Sequence, residues 1–318
     1  MPTARRPRRG SLQYWPRKRA KRIYPRVNWE GIKKNLEKED IAKLLGFASY
    51  KVGMTHVQYQ KGNKLFVKPA TILEATPLFV CGIRFYEANE LKELKAIGEI
   101  FADNLPKELE RKIGKKGKKK EFDEKILEKT KSIRLIVCTQ PTKSGMHKKK
   151  PEVFEIGISG SVEKQYELAK KLLGKEITID NVFRSGEFCD VSSVTKGHGF
   201  VGSVRRFGIK IQGRKDEQHH RHVGSIGPTT PRKIDWRVPM PGQYGFFTRT
   251  EYNKRILLIG KDPSEINKKS GFKHYGIMRS HYILLEGSVP APRKRLIIIT
   301  KPRRKAKYEP VEIKYIAK

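Results

Sequence analysis

The residues best equipped for chemistry lie between Lys196 and Arg249. They are Lys196, Gly197, His198, Gly199, Arg205 and Arg206, then Arg214, His219, His220, Arg221 and His222, then Arg232, Lys233, Trp236, Arg237 and Arg249. Imidazoles among guanidinium groups suit metal binding, acid–base catalysis or the grip of an anion, and spacing discriminates. His219, His220 and His222 suggest a metal. No cysteine or carboxylate pair joins them at a zinc-like spacing, apart from the adjacent Asp216 and Glu217, so no metal site is expected. Gly197 to Gly202 matches G-x-G-x-x-G, but a dinucleotide site needs an apolar parallel strand before it and a helix after it. Here Ser192-Ser193-Val194-Thr195-Lys196 precedes, and the segment Ser203 to Gly208 that follows is short. His198 beside Lys196 resembles half of a nuclease, but such a site usually needs carboxylates for metal ions, and the local acids are few. G-x-S-x-G, G-x-x-x-x-G-K-[ST] and H-E-x-x-H are absent. The chain reads as a binder without cofactor or small-molecule substrate, and not as an enzyme.

Charge selects the ligand. Between Asp190 and Glu251 eleven Lys and Arg residues stand against three acids, Asp216, Glu217 and Asp235. Apolar runs are too few there to build a core, and the segment is too long and basic for an ordinary surface loop, so an external polyanion must order it. Residues 1–26 repeat the pattern, with ten Lys and Arg and no acid, among them Arg5, Arg6, Arg8, Arg9, Arg17, Lys18, Arg19, Lys21 and Arg22. Pro2, Pro7, Pro16 and Pro25 disfavour helix there, and the arm would be disordered alone. Trp15 gains nothing in a solvated tail but can stack on a base or ribose. Trp236 lies between Lys233 and Arg237, ahead of Pro239 and Pro241, with no apolar periodicity to bury it. It reads as a loop-tip aromatic inserted among RNA elements. Over the chain, 70 Lys+Arg exceed 33 Asp+Glu by 37 charges. Self-repulsion at that excess disfavours a free compact protein, and nucleic acid is the expected partner ahead of an anionic membrane or an acidic protein.

The elements that must position these residues are mostly strands. Short β-rich runs broken by Gly, Pro and Asn begin near Gly46: FASYKVGMTHVQY, KPATILEA and LFVCGIRFY. SIRLIVCT, EVFEIGIS, EITI, EFCDVSSV, RILLIG, HYILLEG and RLIIIT continue the series. Leu91, Leu94, Ile97 and Phe101 at helical spacing predict an amphipathic helix over Glu90 to Phe101. Further helical pieces are expected after Pro106, over Phe122 to Lys129, and after Ser161, which would cap it. The lysine-rich loops at 114–120 and 148–150 suit solvent or phosphate equally. Short strands without regular β-α alternation favour an antiparallel barrel over a doubly wound sheet. The expected layout is a basic arm (1–45), barrel (46–89), helical insertion (90–130), barrel with one helix (131–195), a Gly/Arg/His-rich central finger (196–250), barrel (251–300) and a basic tail (301–318). No run approaches the roughly 18 apolar residues of a spanning helix, and MPTARRPRRG is not a secretory signal. Cys81, Cys138 and Cys189 read as buried apolar residues of a reducing compartment.

The run from Asp190 through Lys196-Gly197-His198-Gly199 to Gly202 and Arg206 resembles the signature of the universal large-subunit ribosomal protein L-three family. ASYKVGMTH, GSIGPTTP and MPGQYG agree with it, and the Trp-bearing arm and the 90–130 insertion are similar to the archaeal and eukaryotic branch. The resemblance covers essentially the whole chain. It implies a closed six-stranded barrel of the translation-factor type with a small helical insertion and two long irregular basic extensions. It implies a structural, cytoplasmic ribosomal protein bound to large-subunit rRNA and beside neighbouring large-subunit proteins, active in early subunit assembly. Any structural Mg2+ or monovalent ions would belong to the rRNA. Trp236 would be the finger-tip tryptophan, near the peptidyl-transferase region and the entry path of aminoacyl-tRNA. Some branches carry a methylated His or Gln in the finger. No equivalent can be placed here, where Glu217 or Thr229 stands instead, and no modification is expected. The alternative is a free-standing basic RNA- or DNA-binding factor.

Overall fold

The structure is a computed structural model that describes residues 10–36, 41–91, 93–109, 112, 125–304, 306, 308 and 310–317. The chain forms two compact units, a body (Tyr24–Ser193 with Thr250–Lys318) and a basic unit (Met1–Ile23 with Val194–Arg249).

The protein is mainly β. The strands are β1 (Gly46–Lys61), β2 (Lys64–Ala75), β3 (Leu78–Ala88), β4 (Leu94–Phe101), β5 (Ser132–Thr139), β6 (Val153–Gly157), β7 (Glu176–Ile177), β8 (Phe188–Val194), β9 (Gly197–Val201), β10 (Gly242–Gly245), β11 (Thr248–Gly260), β12 (His281–Glu286), β13 (Leu296–Thr300) and β14 (Glu312–Ile316). One sheet runs β13-β8-β11-β12-β2-β1-β14, and β13 also pairs with β1, from Gly46↔Thr300 to Tyr50↔Leu296. A second runs β4-β3-β5-β6, with β7 on β3. The strands form because Val, Ile, Leu and aromatics suit a pleated, half-buried surface. β13, Leu-Ile-Ile-Ile-Thr, is buried at every position, which is what a strand covered on both faces requires. Phe47, Tyr50, Ile72, Leu73, Leu135, Ile156, Ile283 and Ile298 belong to one continuous core, and Phe79, Cys81, Leu109, Ile136 and Cys138 form a smaller one.

The helix expected over Glu90 to Phe101 is instead largely strand β4. Asn89 turns the chain back: its backbone N–H donates to Glu93 O at 3.0 Å and its Oδ1 accepts from Glu93 N at 2.7 Å. That turn places Leu94 opposite Ala88 and Phe101 opposite Gly82, and the free edge of β3 captures the segment. Spacing alone cannot reveal an available sheet edge, and pairing overrides it. Lys107–Leu109 is a 3-10 turn and Lys125–Lys129 a short α-helix. The lysine-rich run at 114–120 and residues 121–124 lie outside the described residues. The helix after Ser161 spans Val162–Leu172, though the Ser161 side chain makes no capping hydrogen bond. In the body, the helix Trp29–Leu36, which buries Trp29 and Ile32, and β14 in the basic tail had no sequence expectation.

Buried and half-buried carboxylates clasp the body together. Glu74 on β2 is fully buried. Its Oε1 accepts from Arg279 N at 2.7 Å and Ser280 N at 3.0 Å, and its Oε2 accepts from Gly145 N at 3.1 Å and the Tyr275 hydroxyl. Burial, then the Glu74 charge, pushes the Tyr275 phenol up, so it stays a donor. Asp190 receives Asn253 N and Arg303 N, each at 2.8 Å. On β6, Glu155 takes hydrogen bonds from Arg84, Tyr86 and Arg134. Burial pushes its carboxyl up, but these donors hold it below the usual range. Glu286 behaves alike between Lys68 and Arg255.

Two predictions follow from these clasps. Glu74→Ala strands buried N–H and O–H donors and should cost at least about 3 kcal/mol, read as a lower urea midpoint at unchanged slope. An unchanged midpoint would remove Glu74 from its structural role. The folded-state pKa of Glu155 and Glu286 lies below the unfolded one. Their contribution is therefore complete above the unfolded carboxylate range and is lost as pH falls through the folded values. Urea titrations across the acid limb should show that loss, and it should shrink in Glu155→Gln/Glu286→Gln.

Candidate nucleic-acid interface

In the basic unit, β9 and β10 form a two-stranded antiparallel ribbon with Gly242↔Val201, Gln243↔Phe200 and Gly245↔Gly197. Gly245 has φ +71°, and a Cβ there would stand 2.1 Å from Lys196 O, so the ribbon closes only around glycine. A five-residue helix, Ser203–Phe207, follows β9 and stops at Gly208 in the left-handed conformation. The strand carrying G-x-G-x-x-G is thus antiparallel and its helix barely over one turn, which is not the dinucleotide geometry.

From Thr195 to Arg249 the buried hydrophobic side chains are Phe207 and Phe247. Polar and aromatic contacts do the work a core does elsewhere. Arg206 donates from Nη1 to Met240 O at 2.8 Å, from Nε to Gln243 O at 3.1 Å and from Nη2 to Arg17 O at 3.3 Å. Burial, then the neighbouring Arg17 charge, lowers its pKa. Arg17 lies over the Phe207 ring at 4.4 Å, Trp15 stacks on Phe207 at 5.8 Å, and Trp236 meets Trp15 edge-on at 5.4 Å. Ala20 N donates to Phe246 O at 2.9 Å, and Arg249 lies over Tyr14 at 4.6 Å and Phe247 at 5.0 Å. The arm, expected to be disordered alone, is bound to the 196–250 segment along residues 14–20.

The site residues therefore divide. Lys18, Arg19, Lys21, Arg22, Lys196, His198, Arg205, Arg214, His219, Arg221, His222, Arg232, Lys233 and Arg237 are exposed, as are Gly197 and Gly199. Trp236 is 55% exposed, with the Arg237 guanidinium 5.5 Å from its ring centre. Trp15, Arg17, Arg206, His220 and Arg249 are half-buried. Arg5, Arg6, Arg8 and Arg9 lie outside the described residues. His219 and His222 face each other Nδ1 to Nδ1 at 3.2 Å, within hydrogen-bond reach. No group of three metal-ligating side chains occurs among the described residues. Two surface aromatics were not singled out. Phe200 on β9 is 79% exposed, and Tyr244 on β10 packs against His198 at 5.3 Å. An aromatic beside glycine in a cation-rich run was the available signal.

A model of the ribosomal protein L3 family matches residues 1–318. The chain belongs to the ribosomal protein L3 family. Three archaeal proteins, each named large ribosomal subunit protein uL3, are similar to it. That of Methanocaldococcus jannaschii is 47% identical over 92% of this chain and 90% of its own. That of Methanococcus maripaludis strain C7 is 44% identical over 98% and 96%. That of Methanopyrus kandleri is 43% identical over 98% and 90%. The L3 family is one of structural ribosomal proteins and not of enzymes. No helix among the described residues is long and apolar enough to cross a membrane.

In this L3 chain Arg206 is a structural cation as well as a basic one. Arg206→Lys keeps the charge but loses the fork that reaches the carbonyls of Arg17, Met240, Pro241 and Gln243. Hydrogen exchange should accelerate in the peptides covering 15–20 and 240–246 in that variant. Unchanged exchange there would show that the arm and the ribbon are held by something else.

Proposed function

We propose that this chain is a structural constituent of the large ribosomal subunit that binds large-subunit rRNA through its basic unit. The observation that carries this reading is the combination of eleven Lys and Arg against three acids between residues 190 and 251 with two buried hydrophobic side chains from Thr195 to Arg249. Such a segment gains its remaining stability from phosphates. The exposed cations of both segments, from Lys18 and Arg19 to Arg214, Arg221, Arg232 and Lys233, neutralise phosphate and release counterions. Arg5, Arg6, Arg8 and Arg9 add four further cations to the arm for the same purpose. Gly197 and Gly199 admit close approach of the sugar–phosphate backbone, and Trp236 stacks in irregular RNA. Recognition is by RNA shape. Trp15, Arg17, Arg206 and Arg249 act by holding the exposed residues in place. Ions at this interface belong to the rRNA, and the protein works in the cytoplasm beside other large-subunit proteins.

The layout proposed keeps the basic arm, the 196–250 finger and the basic tail set out from the sequence, with strand β4 in place of the helix expected over Glu90 to Phe101. The 196–250 segment reaches towards the peptidyl-transferase and aminoacyl-tRNA entry region, and the whole chain joins the subunit early in assembly. The seven-stranded sheet is proposed to close as a six-stranded barrel of the translation-factor type, because β13 pairs with β8 on one side and β1 on the other.

Gradient sedimentation of a native lysate, with and without ribonuclease, tests the reading. The chain should run with the large subunit, resist stripping until high salt, and leave that position after ribonuclease. A chain at the top of the untreated gradient would make it the free-standing nucleic-acid binder. In purified form, Arg214→Ala/Arg221→Ala should flatten the salt dependence of rRNA binding by about 0.7 to 0.9 log units per lost contact. An unaltered slope would take these two residues out of the interface.

A further inference from the structure

A second surface of the body has the opposite character. At the tip of the β1–β2 hairpin, β1 runs between β2 and the edge strand β14, with Gln58 opposite Val67 and Tyr315, and Gln60 opposite Leu65 and Glu312. Val57 and Tyr59 point inward and are buried, with Phe66 stacked on Tyr59 at 5.8 Å and Arg255 Nη2 donating to the Tyr59 hydroxyl at 2.8 Å. The ribbon is thus anchored from beneath. By strand alternation the other face presents Gln58 and Gln60 between Leu65 and Val67 on one side and Tyr315 on the other. Val67 is 67% exposed, Tyr315 60% and Leu65 58%.

None of these five residues is Lys or Arg, in a chain with 70 such residues. The one carboxylate at the edge, Glu312, is paired with Lys314 of the β14 bulge at 2.6 Å. A surface built for phosphate would carry cations here, as the basic unit does. Exposed aliphatic and phenol side chains around uncharged amides instead have the make-up of a protein interface, with an apolar centre and hydrogen-bonding groups within it. Lys61 and Lys64 stand exposed at the turn and would face the partner's rim.

We propose that this face docks a protein neighbour on the large subunit, through an apolar patch bordered by carboxylates that meet Lys61 and Lys64. This rests on the large-subunit reading above. Flat apolar faces of this kind gain most from a few well-packed side chains, so Val67 and Leu65 should carry most of the contact.

Large subunits assembled with the full-length chain carrying Val67→p-benzoylphenylalanine provide the test. Irradiation should join the chain to one subunit protein, through a peptide containing aliphatic residues and Asp or Glu. Leu65→Glu/Val67→Glu should release that same protein from salt-washed subunits at least about tenfold more readily, with this chain still present. Val67→Lys alone serves if the double variant does not incorporate. Crosslinks to rRNA, or none from subunits that contain the chain, overturn the proposed face and leave the large-subunit reading standing. Absence of the unsubstituted chain from large subunits overturns both.

Discussion

The basic unit depends on one guanidinium. With Phe207 and Phe247 as its buried hydrophobic side chains beyond Val194, the unit lacks the apolar area that normally offsets the entropy of ordering a chain. Arg206 replaces part of that core. Its fork joins two separate stretches of backbone, at Arg17 and at Met240 to Gln243. Carbonyl groups near a helix end or a turn need donors, and a planar cation supplies several at fixed angles. Two consequences follow for its neighbours. Phe207 is held where Trp15 and Arg17 can cover it, and the ribbon edge at Gly242 is fixed against β9. The exposed cations are then carried on a scaffold that adds little negative charge of its own.

The body uses the complementary device. Glu74, Asp190, Glu155 and Glu286 are turned inward onto backbone amides or guanidinium groups. Buried, hydrogen-bonded carboxylates stabilise loops strongly when every lone pair is met, and they are costly when one partner is lost. Acids committed inside do not neutralise cations outside. These four of the 33 acids therefore do not offset the cations of the basic unit.

Much of this was legible in the sequence. Runs such as RLIIIT and LFVCGIRFY announced strands because β-branched and aromatic residues leave little alternative. The basic character of 1–26 and 196–250 was plain from counting. Leu94 to Phe101 was misread because residues spaced for one face of a helix can equally pair with an open strand edge, and that edge exists only once β3 is folded. β14 was hidden by the basic tail around it, and its one lysine, Lys314, is no bar to a strand. Within the site, type alone could not divide the cations. Arg205 and Arg206 are neighbours in a five-residue helix, yet one is exposed beside His198 and the other is half-buried against carbonyls. Helical geometry turns successive residues about 100° apart, and only the position of the ribbon decides which faces inward. Trp15 likewise was assigned to RNA on the ground that a tail cannot use it, whereas its ring finds Phe207 and Trp236 within the same unit.

The same reasoning separates two kinds of exposed aromatic and aliphatic residue. Phe200 and Trp236 are exposed among cations, where a base can stack and a phosphate can be neutralised in one contact. Leu65, Val67 and Tyr315 are exposed around glutamines, with Lys61 and Lys64 at the turn and Lys314 paired with Glu312, so a phosphate over the centre of the face would lose hydration with little charge to replace it. Exposure is equal in kind, but the neighbouring charge differs, and charge governs which surface can replace water. A chain that must fit among RNA and protein at once needs both surfaces. It keeps them distinct by leaving the centre of one without cations and giving the other eleven Lys and Arg against three acids.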